Sequence, residues 1–213
     1  MSIAWSSSRI SRQQPRHSPN AATFAKIDGT GQSRSALGRN RTRSITRGNP
    51  IRTSDQQFID SALRAWKGNI ERAEKFFNAL STEQLQQEVA PDRNRLIYLW
   101  GHLAAANDAL FPLLGVGSKL HPELDAIFLA SPDRSATSLP STTDIKRAWD
   151  EIHDALWSAF SKLSASDWLA KHTAVSDEEF VREPHRNRYT VMLSRTAHIA
   201  FHYGQAILAK PRE

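Results

Sequence analysis

The sequence predicts an all-α protein, a four-helix bundle preceded by a basic N-terminal tail. Three observations predict it. Four long segments repeat apolar residues in steps of three and four, the period of a helix with one buried face. No stretch alternates apolar and polar residues as a half-buried strand would. Apolar residues concentrate beyond residue 54, and five of the six Trp lie beyond residue 60, enough bulk for a packed core.

The tail comes first. Residues 1–54 hold ten Lys or Arg and one acid, Asp28. The rest of the chain holds eighteen against twenty-one, so the net charge of +6 belongs to the tail. The segment is rich in Ser, Arg, Thr, Asn and Gly and has no hydrophobic period. It cannot bury enough surface to offset its ordering entropy, and is expected to be disordered. Three roles compete. It is Arg- and Ser-rich and acid-poor, like a transit peptide. It could instead be a nucleic-acid-binding arm, or an extension of no fixed role from a misplaced start. Trp5 and Phe24 are its only aromatics, too few to stack on single strands, which weighs against a nucleic-acid partner.

The folded domain is expected over residues 55–213. Helix 1 starts near Ser54, where Ser54-x-x-Gln57 has the pattern of a capping box. Ile59, Leu63, Trp66, Ile70, Ala73, Phe77 and Leu80 form its stripe, widened by Phe58, Ala62 and Phe76. Ser81 and Thr82 open a polar connection through Pro91. Helix 2 is expected from about Arg93 to Leu114, with Leu96, Leu99, Leu103, Ala106, Leu110 and Leu113 inward. Pro112 should bend its last turn, and Gly115 and Gly117 end it.

A long link, residues 115–140, carries a short helix over Glu123–Ala130. Pro140, Ser141 and Asp144 announce helix 3, whose stripe is Ile145, Trp149, Ile152, Leu156, Ala159 and Leu163. A second link, about 164–188, holds the charged run from Asp177 to Arg188, whose acids Asp177, Glu178 and Glu179 are expected to be exposed. Helix 4 spans Tyr189 to Ala209, and Pro211 stops it.

Eight His are present. His198 and His202 lie four residues apart on helix 4, one above the other on the same face. Two imidazoles so placed can share one metal ion. Ile199 follows the first, so this is not the zinc-protease pattern, which needs Glu there. His102 sits on the inward face of helix 2. Three imidazoles from two facing helices would leave coordination positions open for water or substrate, as catalytic sites require. Neutral nitrogen donors suit Zn, Ni, Fe or Cu rather than Mg or Ca.

These residues resemble the DinB/YfiT-like superfamily of four-helix bundles. Trp100-Gly101-His102-Leu103 matches its helix 2 motif. Ala197-His198-Ile199-Ala200-Phe201-His202-Tyr203-Gly204-Gln205 is similar to its H-x-x-x-H-x-G-Q ending. The resemblance covers about residues 55–210 and implies an up-down-down-up helix order. It also implies His102, His198 and His202 as ligands of one divalent transition metal, Zn, Ni or Fe. It points to several activities, among them thiol-dependent transferases and isomerases, and hydrolases.

This chain has no Cys, which excludes disulfides, thiolate ligands and a Cys nucleophile. A transferase would therefore need an external low-molecular-weight thiol, deprotonated on the metal. A second hypothesis is a non-enzymatic, stress-associated bundle with a vestigial site. Ser194, Arg195 and Gln205 share the face of the helix 4 His pair. Gln205 either orients an imidazole or a water, or faces solvent. The run Glu183 to Arg188 either binds an anion through its Arg forks or is a solvated loop. His153 is expected to be structural, and His121 and His17 are not expected as ligands. No apolar run approaches the ~20 residues of a membrane span, and no secretory signal is present. The expectation is a cytoplasmic protein acting on a small molecule, with a homodimer as its expected assembly.

Overall fold

A computed structural model describes residues 54–136 and 138–209. The expected disordered tail lies outside them, apart from Ser54. The described residues form α1 (Ser54–Asn78), α2 (Thr82–Leu85), α3 (Leu96–Asp108), α4 (Leu110–Leu114), α5 (Leu124–Phe128), α6 (Thr142–Phe160), α7 (Ala165–Leu169), α8 (Asp177–Arg182) and α9 (Arg188–Ala209). The fold is helical, with no strand among the described residues, only two isolated bridges. No described helix is long and apolar enough to cross a membrane.

Four long helices carry the core. α1 packs on α9 and α6, and α3 packs on α6 and α9. The α1 stripe is buried as expected, from Ile59 through Phe77, with Ala62 beside it. Phe58 and Phe76 both stand about 100° from the stripe's centre. Phe76 is half covered by Tyr203 of α9, at 5.9 Å between ring centroids. Phe58, expected to widen the face, stands in solvent instead, 69% exposed. Trp66 meets Phe160 edge-on at 5.0 Å, and Phe77 stacks on Trp100 at 5.3 Å, joining α1 to α6 and to α3.

Helix 2 of the sequence reading is shorter and broken. Residues 88–95 form a bridged turn, Glu88 against Arg95, so α3 begins at Leu96 rather than Arg93. α3 ends at Asp108, and α4 follows after Ala109. Pro112 has no N–H for the Asp108 carbonyl, so the helix cannot run through. Gly115 closes α4 in the left-handed region, φ 66°. α3 is also not amphipathic: apart from His102, every one of its residues is buried, because α5 covers the side that α6 and α9 leave free.

The connections hold more structure than the periodicity showed. Ser81, Ser164 and Ser176 each cap a one-turn helix through a capping box, with Gln84, Asp167 and Glu179 as the returning side chains. Asp177 and Glu178 are exposed as expected, while Glu179 is drawn into its box. α5 matches the short helix expected near Glu123–Ala130. α6 starts at its cap Ser141, which accepts from the Asp144 N–H. Asp108, fully buried, accepts the N–H groups of Leu120 and His121, both at 2.9 Å, and fixes the link after α4.

Candidate metal centre

Two helices bring the three imidazoles together. α9 begins at Arg188 because Asn187 caps it: the Asn187 Oδ1 accepts the Thr190 N–H at 2.9 Å. Ten residues on, His198 and His202 project from one side of α9, away from the buried line of Met192, Ile199 and Ala206. α3 presents His102, its one half-exposed residue, to the same place.

The ring nitrogens face one another. His198 Nε2 lies 3.2 Å from His102 Nε2 and 3.0 Å from His202 Nε2. All three candidate donor atoms lie within 4.8 Å of each other. Nitrogens about 2.0–2.1 Å from a tetrahedral zinc would lie roughly 3.3 Å apart, so these spacings fit one ion. Among the described residues this is the only such group of three or more His, Asp or Glu.

The outer hydrogen bonds decide which nitrogens carry protons. His102 Nδ1–H donates to the Phe128 carbonyl at 2.8 Å, and His202 Nδ1–H donates to Gln205 Oε1 at 2.8 Å. With those protons on Nδ1, both neutral rings present Nε2 lone pairs to His198. One proton on His198 Nε2 can serve only one of them. At least one short N···N contact therefore has no proton to hold it, a deficit that a cation at the centre would remove. His198 has no outer holder, and its Nδ1 is buried without a partner.

The surroundings keep the rings neutral. Burial lowers all three imidazole pKa values. His198 falls furthest, to about 3, because His202, Arg195 and His102 add to the burial. Neutral imidazole is the form that binds metal.

α3 holds His102 in place through a row of contacts to residues 128–133. Arg95 binds Asp133 through its side chain, and its backbone N–H donates to the same carboxylate at 2.8 Å. Tyr98 Oη donates to the Ser131 carbonyl at 2.5 Å. His102 makes the third contact, to Phe128. Arg95 has no side-chain cap of its own for α3, so Asp133 supplies one from 38 residues away.

A family model described as the DinB superfamily matches residues 65–206, two thirds of the chain, from within α1 to within α9. The chain belongs to the DinB superfamily. The match contains all three His and their holders Phe128 and Gln205. No curated protein matches this DinB-superfamily chain.

Of the other residues singled out in the sequence, Gln205 holds His202, and Ser194 is exposed. Arg186 is engaged by Glu179 and Glu183, and Arg188 donates to the Asp167 carbonyl. These two Arg side chains are thus already engaged within the protein. His121 pairs with Glu123 and Glu151, apart from the centre. His153 is buried, its ring 4.1 Å from Trp149 and 5.9 Å from Trp66. Sequence reasoning missed Phe128, whose part is played by its backbone carbonyl. The visible signal was Gly101 beside His102, a place where something comes close.

Proposed function

We propose that this protein is a metal-dependent enzyme acting on a small molecule, with one divalent transition ion, Zn, Ni or Fe, held by His102, His198 and His202. The observation that carries the reading is the convergence of three neutral imidazoles whose Nε2 lone pairs outnumber the protons available to them. An ion held there by three ligands keeps an open position, where it would lower the pKa of a bound water or thiol. The four long helices and their pairwise packing support a four-helix bundle, in the up-down-down-up order that the family resemblance implies.

The chain's own residues define the rest. Phe128 and Gln205 fix the tautomers of His102 and His202. A cleft lined by Val89, Ala90, Leu99 and Leu208 opens beside His202 and Gln205, and can seat an apolar portion of a substrate. The resemblance to thiol-dependent transferases and hydrolases supports an S-transfer or a hydrolysis, and with no Cys in the chain a reacting thiol would be an external low-molecular-weight one. The intact outer hydrogen bonds favour a working site over a vestigial one, because a disused site has no need of tautomer control.

The test is elemental analysis of the full-length protein purified without chelator, beside His102→Ala and His202→Ala. The expected result is close to one ion per chain in the wild type and almost none in either variant. Thiol conjugation of an electrophile, or ester hydrolysis, should follow metal content. A metal-free wild type, or unchanged metal in both variants, overturns the reading.

A further inference from the structure

A bound divalent ion would give the centre an excess of positive charge. None of the three ligands is acidic, so a bound divalent ion would keep its full charge. Arg195 stands one turn before His198 on the same side of α9. The spacing of Arg195, His198 and His202, three and then four residues, sets them along one ridge of α9. Among the described residues Arg195 has no hydrogen bond and no ion pair, and its Nε is buried without a partner. Arg195 is half-buried, and its Nη groups are not among the buried unpartnered atoms, so they are open to a ligand.

The neighbouring cations differ. Arg186 is shared between Glu179 at 3.5 Å and Glu183 at 3.2 Å, and Arg188 donates from Nη1 to the Asp167 carbonyl, although its Nε is also buried without a partner. Arg195 lines a cleft of about 590 Å³ with Leu113, His172, Asn187, Thr190 and Val191; His102, His198 and His202 are not part of its lining. Glu183 also lines it, but its carboxylate is already held by Arg186.

We infer that Arg195 is a binding residue for the ligand of this centre, and that the ligand carries a carboxylate, received on the Arg195 guanidinium in this cleft. The planar fork of Arg matches a carboxylate with two parallel hydrogen bonds, and such a ligand would offset the charge of the site. This rests on the metal reading above and narrows it to acids. The neutral analogue of a given acid should bind poorly.

The experiment uses the full-length protein loaded with Co(II), whose visible spectrum reports on ligands near the ion. Benzoate is titrated, with benzamide as the uncharged control. Wild type is expected to bind benzoate and to disfavour benzamide. Arg195→Gln should load cobalt as wild type does but bind benzoate about 10- to 100-fold more weakly. Arg195→Lys should recover part of that loss. Arg195→Met provides a second neutral variant if glutamine unsettles the helix. Benzoate binding equal to wild type in either neutral variant, or no preference for benzoate over benzamide, overturns the anchor and leaves the metal centre standing. A wild type that takes up no cobalt overturns the metal reading, and the anchor with it.

Discussion

Gly101 faces the tip of the Phe128 ring: a Cβ on Gly101 would come within 2.3 Å of its Cζ. The same Phe128 offers its carbonyl to His102, the next residue along α3. Gly101→Ala should push Phe128 outward, cost about 1–3 kcal/mol by overpacking, and release His102. Urea unfolding and zinc affinity measured together check this. Phe128→Leu in the same chain should recover part of the stability.

Gln205 offers a sharper test of ligand orientation. Its Oε1 accepts from His202 at the surface of the site, where little packing is at stake. Gln205→Leu should weaken metal binding about 10- to 100-fold with little change in apo stability. Gln205→Glu, which keeps the acceptor, should retain binding. Competition against a chromophoric chelator measures both.

Metal should also stabilise the fold. An ion at a hundred times its dissociation constant adds about 2.7 kcal/mol. The melting temperature should therefore rise on adding zinc to the wild type and stay put in His198→Ala. Equal shifts in both proteins would count against the triad.

His153 predicts an acid response unrelated to metal. Burial drives its pKa down to about 3, although its Nδ1 contact with the Trp149 carbonyl works the other way. The unfolded chain takes up a proton near pH 6.5, while the folded one refuses it until about pH 3. Stability from this residue is therefore complete above pH 6.5 and lost as pH falls toward 3, by up to about 1.4 kcal/mol per pH unit. His153→Phe should flatten the decline seen by urea unfolding between pH 6.5 and 4.5.

Much of this was legible because helices write their faces into the sequence. The α1 and α6 stripes, the cap at Ser141 and the stop after α4 follow from period, capping and turn chemistry. The His pair on α9 follows from its spacing. α3 was harder, because a helix buried on all sides has no polar face to mark its boundaries, and its end depended on one missing N–H at Pro112. The one-turn helices at Ser81, Ser164 and Ser176 are too short to show a period. The holder of His102 was not readable, because a backbone carbonyl 26 residues away carries no side-chain signature. The freedom of Arg195 was equally hidden, since Arg186 and Arg188 look the same in sequence until their partners are known.

The contacts at Arg95, Tyr98 and His102 have a consequence for chain length. They sit at successive turns of α3 and meet Asp133, Ser131 and Phe128 in reverse order. The two segments are therefore matched in register, like teeth of a zip. Extra residues inserted after Arg134 could loop out and leave that match undisturbed. Deleting one residue between Leu129 and Pro132 would put the Phe128 and Asp133 contacts out of step, so that His102 and Arg95 could no longer both be held.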